Sequence, residues 1–204
     1  MGTTTNNGWP TPVGTDLVKD GWEAIKDLGD AIDTTLGVYA PSTSGLTLIN
    51  TTSFSAVASQ SFNNVFSATY KNYKIFADIN HSSTSTGLSL RLRVGGADNS
   101  TASSYTTIQV RGTGSSIPVT TPAAANIAGI GAISNTLING IEGAFYSPFE
   151  ATATGFQFNS LNTDGPQIYL ISGNHNQTVS YDGFTLSVAS GNITGSVQVY
   201  GIKN

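Results

Sequence analysis

The side chains able to do chemistry are few: two histidines, twelve carboxylates and no cysteine in 204 residues. A Ser–His–Asp arrangement on a strand-to-helix turn would carry a Gly-x-Ser-x-Gly segment, and none occurs. Both histidines lie in polar surroundings, Asn80-His81-Ser82 and Asn174-His175-Asn176, which predicts exposed loop positions. Glycoside hydrolysis needs two placed carboxylates. Beyond residue 40 the acids are Asp78, Asp98, Glu142, Glu150, Asp164 and Asp182; they are scattered, and Asp164-Gly165 and Asp182-Gly183 are turn dipeptides. Two separated histidines without cysteine make a poor zinc set. Gly129-x-Gly131 lacks a third glycine, and Gly112-x-Gly114 has no lysine after it to hold a phosphate. The expectation is therefore a protein that is not an enzyme, with no catalytic residues, no metal and no cofactor.

Charge points the same way. Only 10% of the residues are charged, against about 25% in typical globular chains. Residues 1–40 carry Asp16, Asp20, Glu23, Asp27, Asp30 and Asp33 against Lys19 and Lys26, a net of −4, while the remainder has six acids and six bases. Nucleic-acid binding leaves a basic footprint, and none is present. No stretch approaches the roughly 20 apolar residues of a membrane-spanning helix. The opening residues have neither a basic nor an apolar run, so no signal peptide is expected.

The elements behind this chemistry-poor surface are β-strands. Ser, Thr and Asn fill 68 positions and Gly another 23, a composition suited to strands and turns. Alternation of apolar and polar residues predicts strands at 46–50, 54–59, 73–80, 105–111, 125–134, 137–146, 154–161, 167–172, 184–188 and 196–200. The clearest lies at 88–94, with Leu88, Leu90, Leu92 and Val94 on one side and Arg91 and Arg93 on the other. Ser190-Gly191-Asn192 is a turn signal between the last two. So many short strands with no helix among them predict a mainly β fold, an antiparallel β-sandwich of jelly-roll type.

Residues 1–40 differ. Gly8-Trp9-Pro10-Thr11-Pro12 disfavours helix and predicts an extended arm. A helix follows, capped at Thr15 or Asp16 before Leu17. Val18, Gly21, Ile25, Leu28, Ile32 and Thr35 recur at spacings of three and four, the pattern of an oligomer seam. Gly21 and Gly29 each weaken that helix by about 1 kcal/mol. The helix either docks on its own sandwich or packs on symmetry mates or a partner protein, and its six acids and narrow apolar stripe favour the second. Pro41-Ser42-Thr43-Ser44-Gly45 reads as a linker, giving two domains, 1–40 and 41–204.

The segment from Asn6 through Trp9-Pro10-Thr11-Pro12 and Thr15-Asp16-Leu17-Val18-Lys19-Asp20-Gly21 to Ala31-Ile32-Asp33 resembles the N-terminus of tailed-bacteriophage minor structural proteins. The stretches 64–75 and 184–202 are similar to β-sandwich ends of phage tail and head-fibre components. The resemblance implies a virion protein of the fibre, appendage or decoration type, assembled in the bacterial cytoplasm and displayed on the virion exterior. It implies an anchor at Trp9, Pro10, Pro12 and Leu17, binding a capsid or tail protein, with the chain as a homo-oligomer, a trimer by expectation. Exposed aromatics Tyr105, Tyr146 and Tyr169 are the candidates for contact with a host-surface glycan. A capsid cement protein that binds nothing on the host is the alternative.

Overall fold

A computed structural model describes residues 2–5, 7–11, 13, 18–39, 45–82, 86–114, 116–121, 124–135, 139–162 and 167–202. The chain divides into two compact units, Met1–Ser44 and Gly45–Asn204.

In the first unit the arm doubles back as a small hairpin. Strands β1 (Gly2–Thr3) and β2 (Pro10–Thr11) pair antiparallel. The connecting turn is closed by Thr4 N–H to Trp9 O at 2.8 Å, with Gly8 at φ +65°, a region open to glycine at no steric cost. A 3-10 turn at Val18–Asp20 leads into helix α1 (Gly21–Tyr39). Asp20 and Glu23 place negative charge at its positive end.

The second unit is an antiparallel β-sandwich. Its strands in chain order are β3 (Leu46–Val57), β4 (Ser59–Phe62), β5 (Asn72–His81), β6 (Thr86–Val94), β7 (Ala97–Asp98), β8 (Tyr105–Thr113), β9 (Val119–Thr120), β10 (Ala128–Ile133), β11 (Asn139–Tyr146), β12 (Thr154–Asn162), β13 (Gln167–His175), β14 (Gly183–Val188) and β15 (Ile193–Ile202). One sheet runs β3-β15-β5-β11-β12-β13-β8-β9; the other runs β10-β6-β14-β4, with β7 on β6.

The segments expected as separate strands at 46–50 and 54–59 run together as β3, bulged against β15 and with Ala56 at φ +52°. The break falls later, where the chain passes from β3 in one sheet to β4 in the other. The turn at Ser190-Gly191-Asn192 likewise joins β14 to β15 across the two sheets, so it does not close a hairpin.

The core lies between the sheets. Leu88, Leu90, Leu92, Phe184 and Leu186 from the smaller sheet meet Tyr73, Ile75, Ile79, Phe145, Phe156, Phe158, Val197 and Val199 from the larger. Phe184 stacks on Phe62 at 4.6 Å and touches Phe66 and Phe145 at 5.8 and 5.3 Å. Two of these rings lie over glycines opposite them in register, Phe158 over Gly143 and Phe156 over Gly173. A β-carbon at either glycine would overlap the ring, so the glycines are what let the two phenylalanines lie down on the sheet.

Candidate functional site

On α1 the apolar residues fall into two stripes. At about 100° per residue, Gly21, Ala24, Leu28, Ala31 and Thr35 share one face; Ala24 is buried and the others except Gly21 and Thr35 are apolar side chains half in contact. This face meets the hairpin: the Trp9 indole N–H donates to Thr35 Oγ1 at 2.9 Å, and Thr35 donates to Ala31 O at 2.8 Å. The other stripe is Val18, Trp22, Ile25, Gly29, Ile32 and Leu36, at spacings 4, 3, 4, 3 and 4. It is open to solvent, with Val18 98%, Trp22 and Ile25 68% and Leu36 61% exposed. The acids Asp20, Glu23, Asp27 and Asp30 lie on the remaining face, where Lys26 bonds Asp30.

The expected seam therefore divides. Leu28 lies on the half-buried stripe, Gly21 shares that angle but has open space where a β-carbon would stand, Val18 and Ile25 belong to the open stripe, and Ile32 sits between the two. Trp22 and Leu36, missed in the sequence, complete the open stripe. Trp9, expected as a free anchor, is tied to Thr35, and Pro10 is held in β2. The arm thus finds a partner for the indole within its own unit, and the attachment role of Trp9 and Pro10 remains a proposal. Pro12 and Leu17 lie outside the described residues.

In the sandwich, strand parity sorts the three tyrosines. Tyr105 and Tyr169 point inward, 1% and 5% exposed. The Tyr105 hydroxyl accepts from Leu92 N–H at 2.9 Å and donates to Asn99 O at 3.0 Å, and burial pushes its pKa up. Tyr169 donates to Gln167 Oε1 at 2.9 Å. Both are core residues, and their assignment to glycan contact is corrected. Tyr146 faces outward, 42% exposed, and donates to Gln157 Oε1 at 3.1 Å.

The histidines are corrected too. His81 and His175 are 3% and 0% exposed. His81 Nε2 lies 2.8 Å from Ser190 O. His175 sits edge-on between Tyr105 and Tyr181, its Nδ1 3.2 Å from the Tyr181 hydroxyl, and desolvation lowers its pKa to about 4. The same burial raises Tyr181 to about 12. The described residues contain no cluster of three or more His, Cys, Asp or Glu able to hold a metal.

The outward face of the larger sheet carries the other open surface. Two adjoining depressions of 730 and 410 Å³ lie on it, both lined by Glu142, Asn159 and Leu170. Glu142 is paired with Lys74 on the neighbouring strand. Around this pair stand Phe76, Ile108, Leu161, Ile168 and Leu170, 39–53% exposed. Phe76, Ile168 and Leu170 alternate with apolar inward residues, whereas Ile108 and Leu161 alternate with polar ones, Thr107, Ser160 and Asn162.

No protein-family model matches the chain, and no curated protein sequence does. Among solved structures, the galectin LEC-6 of Caenorhabditis elegans is similar at 8% identity and a TM-score of 0.33, covering 77% of this chain and 99% of its own. An aerolysin-like protein of Bombina maxima is similar at 11% identity and a TM-score of 0.12, covering 77% and 98%.

Proposed function

We propose that this protein is a non-catalytic virion structural protein, a fibre or appendage module that assembles and attaches through its N-terminal unit and displays its sandwich on the particle exterior. The observation that carries the reading is the open stripe on α1, whose large apolar side chains stand in water although a second stripe on the same helix is already packed. Burying a side chain of this size stabilises by about 1.5–3 kcal/mol, so the stripe is a strong site for association. The resemblance of residues 6–33 to phage structural proteins supports the particle as its setting.

The stripe has a heptad register. Spacings of 4, 3, 4 put Trp22, Gly29 and Leu36 at a positions and Val18, Ile25 and Ile32 at d positions of a heptad. With Trp22 and Gly29 as well as Leu36 at the a positions, the register defines the seam and leaves the number of strands open. The trimer is proposed on the resemblance of residues 6–33 to phage structural proteins, with the acids Asp20, Glu23, Asp27 and Asp30 turned away from the seam.

Particles assembled with the double variant Trp22→Asp and Leu36→Asp test this reading. The variant chain is expected to lose the parent's trimer in sedimentation at submicromolar concentration and to be missing from purified particles, while the sandwich melts as in the parent. Full incorporation of the variant would overturn the attachment role, and an unchanged sedimentation coefficient would overturn the seam.

A further inference from the structure

We infer that the outward face of the eight-stranded sheet is an interface between copies of this chain, separate from the α1 seam. Register places Phe76 (β5), Leu161 (β12), Ile168 and Leu170 (β13), Ile108 (β8) and Val119 (β9) on that face, each 39–64% exposed. With strands about 4.8 Å apart and 3.4 Å per residue, the seven longer strands span roughly 30 Å by 20–25 Å, on the order of 700 Å². A standard interface takes about 800 Å² from each partner. The exposed apolar side chains stand within this face among polar ones such as Gln157, Asn159 and Ser172, and monomeric proteins rarely leave a contiguous apolar patch beyond a few hundred Å² uncovered.

The chemistry selects the occupant. Among the described outward positions of this sheet the charged residues are Lys74, Asp78 and Glu142, and Lys74 already pairs with Glu142. The face is thus nearly neutral, with one ion pair among its apolar residues and Asp78 as the other charge, and low charge is the mark of a protein interface, most of all one between like subunits. A second copy brings the same nearly neutral surface and therefore meets no net repulsion. A saccharide fits less well. The aliphatic side chains offer no ring face for stacking, of the rings on this face Phe76 is already packed edge-on with Tyr200 at 5.8 Å, and the polar groups nearby bond one another: Tyr146 donates to Gln157, Tyr200 donates to Gln198 at 3.0 Å, and Lys74 donates to Glu142.

The test uses the full chain in four forms: the parent, the seam variant Trp22→Asp with Leu36→Asp, a face variant Ile168→Glu with Leu170→Glu, and the two combined. The substituted positions are exposed, so each form is expected to keep the parent's β-sheet circular dichroism and melting. Sedimentation of the seam variant should still show reversible association. Adding the face substitutions, which set like charges against each other, should raise its dissociation constant roughly 100-fold or more. A seam variant that is monomeric at about 100 µM, above the micromolar range in which interfaces of this area bind, would overturn the inference. So would association indifferent to the face substitutions. Capture of the monomeric seam variant by an immobilised oligosaccharide array, lost in the combined variant, would assign the face to saccharide and equally overturn it. The seam and face substitutions fail independently, so loss of one interface leaves the other readable.

Discussion

The two units of the chain treat their apolar side chains in opposite ways. In the sandwich, Phe145, Phe156, Phe158 and Phe184 are at most 2% exposed and the buried rings touch one another across the sheets. In the N-terminal unit, Val18, Trp22, Ile25 and Leu36 are 61–98% exposed on a helix that also contains Gly21 and Gly29. Charge is divided as unequally, −4 in residues 1–40 and zero beyond. A domain is self-sufficient when burial outweighs the entropy of ordering the chain. The sandwich has such a core, and the helical unit leaves half of its apolar arc exposed. Stability and assembly are therefore expected to respond to different residues.

The largest expected effect is in the core. Phe184→Ala removes a ring that stacks on Phe62 and meets Phe66 and Phe145. A cavity of this kind costs about 3–5 kcal/mol, which denaturant unfolding followed by β-sheet circular dichroism should register. Ile25→Ala in the open stripe should leave the same transition within about 0.5 kcal/mol. Equal losses would erase the contrast between the units.

Acid should act on the sandwich through His175. Its ring is held neutral down to about pH 4, whereas an unfolded histidine takes up a proton near pH 6.5. The facing groups, Tyr105 and Tyr181, have raised pKa values and stay neutral through this range. The unfolded chain thus binds the proton first. The associated stability is fully present above pH 6.5 and is lost as pH falls to about 4, by about 3 kcal/mol in all. His175→Phe should flatten this part of the stability profile measured in urea. A parent and variant with parallel slopes between pH 6.5 and 4 would remove His175 as the cause.

Most of the strands were legible in the sequence because a half-buried strand alternates with period two, as Leu88, Leu90 and Leu92 do. The same period hid the histidines. Asn174 and Asn176 made the surroundings of His175 look polar, yet neighbours in a strand point to opposite faces, and His175 is the inward one. Tyr105 and Tyr169 were misplaced for the same reason. The outward patch was illegible because Ile168 and Leu170 interleave with Tyr169 and Ile171, while the inward neighbours of Leu161 are the polar Ser160 and Asn162, so apolarity does not mark the inward phase. On α1 and the 3-10 turn before it, the expected seam took Val18, Ile25 and Ile32, of which the first two belong to the open stripe. Sequence spacing alone joined them to Gly21 and Leu28, and only the hairpin's position on the helix separates that face from Trp22 and Leu36.

The smallest effect expected concerns Trp9, and it sharpens the comparison most. The indole N–H donates to Thr35 Oγ1 at 2.9 Å, joining the hairpin to the far end of α1. Trp9→Phe keeps an aromatic ring and removes that donor, while Thr35 retains its own bond to Ala31 O. Oγ1 is then left an acceptor in a half-buried position, where solvent can serve it, so the loss is that of one ordinary hydrogen bond, about 0.5–1.5 kcal/mol. All of it falls on the N-terminal unit. Heating the variant while following the helical signal at 222 nm should show that signal lost at a lower temperature than in the parent. The melting of the sandwich, followed by the near-ultraviolet signal of its tyrosines, should stay in place. If both transitions moved together, the two units would unfold as one, and the division between a self-sufficient sandwich and a helix completed by its assembly would fail.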